Sequence, residues 1–141
     1  MGLTLEQADS VIAAGKQKAV AIGVPVNIVV MDQGGFLKAF ARMDGALLGS
    51  IEIAQRKAKT AILFEMNTEA VFEFCKPGAP SFGLEQTNGG LTVFAGGIPL
   101  RDAAGTVIGS GRSVRRSGAA GLQCGTGSRN SNDEQVINQG D

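Results

Sequence analysis

Apolar positions in the first third of the chain follow two periods, and the switch between them outlines the fold. Leu5, Ala8, Ile12, Ala19 and Ile22 recur at helical spacing, which predicts a helix over Thr4 to Ile22. Thr4 is suited to cap it, and Gln7 three residues on completes a capping box. Gly23 is a suitable stop, and Pro25 bars continuation. Val26 to Met31 is then a β-branched apolar run, the signature of a buried strand. Asp32-Gln33-Gly34-Gly35 reads as a hairpin turn, and Phe36 to Met43 returns as a second strand. Strands joined by so short a turn must be antiparallel.

Helical spacing resumes from Gly49 to Glu65. Ile51, Ala54, Ala58, Ala61 and Ile62 form a stripe whose small alanines permit close approach to a sheet, with Ser50 as the expected cap. A short helix is predicted over Thr68 to Phe74. Pro77, Gly78, Pro80 and Gly83 make Lys76 to Asn88 a loop. Leu91 to Ala95 is predicted as a third strand and Gly96-Gly97-Ile98-Pro99-Leu100 as a rigid turn. After a turn at Asp102 to Gly105, Thr106 to Ile108 starts a further strand. The order α-β-β-α-α-β-β predicts an α/β (α+β) domain, an antiparallel sheet with helices packed on it, over residues 3–109. From Ser110 the chain turns rich in Gly, Ser, Asn and Arg and loses apolar periodicity, so residues 110–141 read as an atypical tail. The strand begun at Thr106 is then expected to be cut short.

Composition narrows the chemistry. At 141 residues the chain has room for one domain, and 43% hydrophobic residues permit a core. Thirteen basic and 13 acidic side chains cancel, which argues against nucleic acid or an anionic membrane as partner. No apolar run is long enough to span a bilayer, and no signal peptide is apparent. Cys75 and Cys124 have neither metal-site nor paired spacing, so free thiols in the cytoplasm are expected. Histidine is absent, which removes the usual general base and the commonest metal ligand.

Candidate ligand-binding residues follow from what remains. Arg42 and Asp44 end a strand beside a glycine loop, where they either hold a polar ligand group or pair with each other. Lys57 lies seven residues after Ser50, about two helical turns, so both can share a face; it either meets a carboxylate or is solvated. Gly96 and Gly97 either offer successive amides to an anion or make a tight turn. Glu65, Glu69 and Glu73 repeat every four residues, as an iron-binding face or a solvated one. Phe72, Phe74 and Phe82 read as core or subunit-contact residues, and Cys75 beside Lys76 as a reactive thiol if exposed.

Several of these segments together resemble one family. Val29-Val30-Met31-Asp32-Gln33-Gly34-Gly35 is similar to the first hairpin of the GlcG/HbpS-like family, which includes the C-terminal domain of PduO proteins. Arg42-Met43-Asp44-Gly45-Ala46, Ser50-Ile51-Glu52-Ile53-Ala54 with Lys57-Ala58-Lys59-Thr60-Ala61, Gly96 to Leu100 and Gly105 to Gly109 resemble its later segments in order. The resemblance implies a profilin-like antiparallel sheet flanked by helices, assembly into homo-oligomers, and haem or a related anionic cofactor as ligand. It also implies that the chain should continue past Gly109 as a strand and an apolar helix. Read one base later, codons for Ser110 to Arg116 can encode the family-like Ala-Val-Gly-Val-Ser-Gly-Gly, so the tail is either frameshifted or a disordered polar extension.

Two functions follow, with a third if the tail is lost. The first is binding of haem or a similar planar anion, with Lys57 as a partner for a propionate; without histidine, ligation would need a thiolate such as Cys75, a Met, a carboxylate or crevice contacts alone. The second is a catabolic enzyme or accessory acting on a small hydroxy acid or aldehyde. It would use Arg42 and Lys57 for a carboxylate and Asp44 as acid or base. The third is a tail-altered member without activity.

Overall fold

The computed structural model describes residues 2–112. The expected tail, with Cys124, lies outside the described residues beyond position 112. Three helices and four strands follow one another as α1 (Leu5–Ile22), β1 (Asn27–Asp32), β2 (Leu37–Arg42), α2 (Ser50–Phe64), α3 (Thr68–Cys75), β3 (Gly97–Arg101) and β4 (Val107–Arg112). A short 3-10 helix, Leu84–Gln86, interrupts the loop between α3 and β3. The strands form one antiparallel sheet in the order β2-β1-β4-β3, as the α+β reading expected.

Local chemistry explains the first hairpin and its helix. Thr4 accepts from the Gln7 amide at 3.1 Å while the Gln7 side chain accepts from the Thr4 amide at 2.9 Å, so the capping box is complete. Gly23 closes α1 at φ +69°, a conformation that glycine adopts without a Cβ penalty. In the hairpin, the Asp32 carboxylate accepts from the Gly34 and Phe36 amides, and Gly35 takes φ +79°.

Strand alternation divides the core in two. Ile28 and Val30 face α1 with Ala8, Ile12 and Ala19, and Leu3, Leu100 and Ile108 close that cluster. Val29 and Met31 face the other way, onto Ala54 and Ala58 of α2. Helix α1 packs on β1 and β2, whereas α2 lies over β1, β3 and β4. The α2 side of β2 is therefore left open.

Three expectations are corrected. Leu91 to Ala95 is not a strand, and all but the first residue of Gly96 to Leu100, read as a rigid turn, belongs to β3 (Gly97–Arg101). Pro99 is tolerated because β3 is an edge strand, pairing only with β4, so a missing amide need not break a ladder on its free side. The strand begun at Thr106 is not cut at Gly109. It continues to Arg112, with Gly109, Ser110 and Gly111 buried and paired to both β1 and β3. Ser110 fits there because its hydroxyl donates to the Ala58 carbonyl at 2.6 Å, and a Cβ at Gly109 would lie 2.5 Å from the Met31 carbonyl oxygen. Close strand contact thus selects the small residues that resemble a loop in sequence.

Candidate functional site

The six candidate residues fall into two groups rather than one. The first surrounds the end of β2 and the start of α2. Asn27, fully buried opposite Arg42 in the sheet, donates from its Nδ2 to the Leu47 carbonyl at 3.1 Å and to the Ser50 hydroxyl at 2.7 Å. Ser50 in turn donates to Leu47 O at 2.7 Å. These bonds fix the loop that leaves β2. A turn follows, in which the Ala46 amide donates to Met43 O and Gly45 takes φ +82°. Arg42 and Asp44 project from this frame and are both exposed, and no ion pair joins them among the described residues.

Ser50 therefore does not cap α2. The N-cap is Gly49, without a side-chain bond, because Asn27 and Leu47 occupy the Ser50 hydroxyl. Asn27 escaped the sequence reading. Its signal was a lone amide within an otherwise apolar strand, a residue that has to be hydrogen-bonded if buried.

The second group lies midway along α2, against the segment that leads into β3. Lys57 is 5% exposed and so is buried rather than solvated. Its ammonium donates to Ala95 O at 2.7 Å and sits 4.0 Å from the centroid of the Phe94 ring, a cation–π contact. The Gly97 amide donates to the Thr68 hydroxyl at 3.0 Å, and that hydroxyl donates to Phe94 O at 2.8 Å. Gly97 thus presents no open amide to an anion. It is glycine because a Cβ would lie 2.4 Å from Lys57 O and 2.5 Å from Thr68 Cγ2. Gly96 precedes it at φ +127°, as a turn requires.

The remaining candidates disperse. Glu65 ends α2 at φ +52°, Glu69 opens α3, and Glu73 pairs with Lys76, so they do not line one helix. Among the described residues no group of three or more His, Cys, Asp or Glu side chains is placed to hold a metal ion. Phe74 and Phe82 are 52% and 70% exposed and so are not core. Cys75 is buried at 2% exposure; burial pushes its thiol pKa up, and the neighbouring Glu85 carboxylate pushes it further. It is therefore a protonated, sheltered thiol. Among the described residues no helix is long and apolar enough to cross a membrane.

With this geometry, known proteins provide a frame. A family model described as haem degrading protein HbpS-like matches residues 3–140. An uncharacterised 15.0 kDa protein from the dhaT-dhaS intergenic region of Citrobacter freundii is 35% identical over 125 residues, spanning 88% of this chain and 81% of that one. The crystal structure of Klebsiella pneumoniae protein ORFY superposes with a TM-score of 0.75 at 33% identity, covering 78% of this chain and 76% of that chain. A crystal structure of a PduOC–haem complex does so at 0.74 and 31% identity, covering 79% and 81%. On a match that runs almost from end to end, this chain belongs to the HbpS-like family.

Proposed function

We propose that the chain binds haem or a related planar anionic ligand, and that it does so as an assembly of several copies in the cytoplasm. The observation that carries the reading is the likeness to the PduOC–haem complex over 79% of this chain. The side chains present qualify it. No histidine exists in the sequence, and Cys75, the one cysteine among the described residues, is buried with its thiol pKa raised, so ligation of an iron by imidazole or by the Cys75 thiolate does not fit. What fits is the periphery of such a ligand. Arg42 offers an exposed planar fork to a carboxylate, and Asp44 beside it accepts from a donor. Ser50 and Gly97 serve the frame, and Lys57 is turned inward.

Titration with haem, followed by the Soret band, tests this. Binding is expected without the spectrum of a histidine-ligated haem. Arg42→Ala should weaken it about threefold, the scale of one exposed ion pair. No spectral change at micromolar haem refutes the reading. The catabolic alternative, a small hydroxy acid or aldehyde as substrate, now rests on Arg42 and Asp44 alone.

A further inference from the structure

Asn88 is followed by Gly89, the one Asn-Gly pair in the sequence. The two lie in the loop between α3 and β3, and both are exposed. The backbone at Asn88, Gly89 and Gly90 is left-handed throughout, at φ +54°, +73° and +100°. Two bonds hold this turn. The Gly90 amide donates to Thr87 O at 2.9 Å, and Arg56 Nη1 on α2 donates to Gly89 O at 2.9 Å. Neither engages the Gly89 amide, which has no acceptor among the described residues. The Asn88 side chain is held by its own neighbour, its Nδ2 donating to the Thr87 hydroxyl at 3.0 Å.

A free backbone amide beside an uncovered side-chain amide meets the requirements of an intramolecular attack, since two groups on one chain react at high effective concentration. Glycine matters at the attacking position, because no Cβ obstructs the approach of its nitrogen to Cγ. The other two asparagines among the described residues lack this freedom. Asn27 is fully buried within β1 and precedes an isoleucine in the same strand. Asn67 precedes Thr68, which is β-branched, fully buried and bonded to Phe94 O.

We propose that Asn88 is a site of spontaneous covalent modification through a succinimide. The Gly89 nitrogen bonds to Asn88 Cγ, the Cγ–Nδ2 bond breaks, and ammonia leaves with the proton given up by the Gly89 amide. Water then opens the ring. Attack at Cγ leaves an ordinary aspartate; attack at the main-chain carbonyl leaves an isoaspartate, in which the chain runs through the side-chain carbon. Either product adds a negative charge near Arg56, whose guanidinium pairs with Glu52 at 2.7 Å. The isoaspartate also lengthens the main chain by one carbon. Arg56 lies so close to this turn that a Cβ at Gly90 would collide with its Nη1. The longer chain therefore cannot keep both Gly89 O on Arg56 and the Gly90 amide on Thr87 O, and the loop is unfastened from α2. This site is independent of what ligand is bound.

Ageing the full chain, native in buffer and unfolded in urea, tests it. Peptide mass mapping follows the amide-to-acid change, and methyl labelling by a protein isoaspartate methyltransferase detects the rearranged product. The native chain should convert at Asn88 within about tenfold of the unfolded rate, because exposed turns open at little cost, while Asn27 and Asn67 stay amides. Asn88→Gln, which would need a larger ring, should leave this peptide unlabelled. In the aged isoaspartate fraction the Gly90 and Leu91 amides, bonded to Thr87 O and Glu85 O in the unmodified chain, should exchange faster than in fresh protein. A native rate about a hundredfold or more below the unfolded one, which would mean a turn locked by the fold, overturns the site. So does an intact Asn88 in a chain whose Asn27 or Asn67 converts. Conversion that leaves the exchange of Gly90 and Leu91 unchanged overturns the unfastening.

Discussion

Gly97→Ala should destabilise the protein by about 2–3 kcal/mol without changing the chemistry of any surface group. The added Cβ would stand 2.4 Å from Lys57 O, 2.9 Å from Lys57 C and 2.5 Å from Thr68 Cγ2. Contacts of that kind need about 3.5 Å, so β3 and α2 must part by about 1 Å. Neither neighbour can yield cheaply. One is the backbone of a helix that also holds Ser110 through Ala58 O, and the other belongs to a threonine bonded to Phe94 O and Gly97 N. Overpacking of this sort costs about 1–3 kcal/mol, and the rigid partners place it at the upper end. The smaller entropy of an unfolded alanine chain returns about 0.5 kcal/mol. For a domain of this size the net loss lowers the melting temperature by roughly 8–12 °C. Thermal unfolding by circular dichroism measures it. Gly49→Ala, where nothing lies within 4 Å of the added atom, is the control and should move stability by no more than about 0.5 kcal/mol. A Gly97→Ala protein that melts within about 2 °C of the wild type would show that the close approach of β3 to α2 is wrong.

Other consequences are accessible to similar measurements. Ser110→Ala should cost about 1 kcal/mol in urea denaturation, because the bond to Ala58 O is lost at a fully buried position; no cost would mean that β4 ends earlier. Asn27→Ala removes the donor to Leu47 and Ser50, so a loss of about 1–3 kcal/mol is expected, with faster hydrogen exchange across residues 43–49. In a Cys124→Ser background, Cys75 should resist a thiol reagent in the native state, and its raised pKa fixes the sign of a pH effect. Below the ordinary value of 9.0 both states hold the proton; above it the unfolded chain releases the proton first, so stability should fall as pH rises past 9. For the tail, the DNA beyond codon 109 is expected to encode Ala-Val-Gly-Val-Ser-Gly-Gly in the next frame; a sequence that no single-base change converts to that peptide rules the frameshift out.

Features that depend on neighbours in sequence were legible, and those set by distant partners were not. The capping box of Thr4 and Gln7, the Asp32 turn and the buried apolar run of β1 all involve residues a few positions apart, and each appears as expected. Lys57 is different. Its chain position allows a solvated lysine, and only the arrival of Phe94 and Ala95, 38 residues later for the hydrogen-bonded carbonyl, turns it inward. Ser110 has the same difficulty, with a partner 52 residues away. Leu91 to Ala95 misled for a related reason. It has the apolar content of a strand, but side chains of helices satisfy its backbone in place of a ladder. The Arg42–Asp44 end of the candidate site was visible because a strand end and a glycine turn mark it, whereas the burial of Lys57 and the bonding of the Gly97 amide to Thr68 depend on partners far along the chain.

The segment before β3 works as a spacer bar between two helices. Its Thr92 amide is held by the Thr60 hydroxyl of α2 at 3.2 Å, and its Phe94 carbonyl by Thr68 of α3, which also takes the Gly97 amide. The separation of α2 from α3 is thereby set by a short bent stretch of backbone, five residues from one hydroxyl-bound amide to the other. An insertion between Thr92 and Gly97 would not simply lengthen a loop; it would have to slide α3 along α2 or release one of the two threonines.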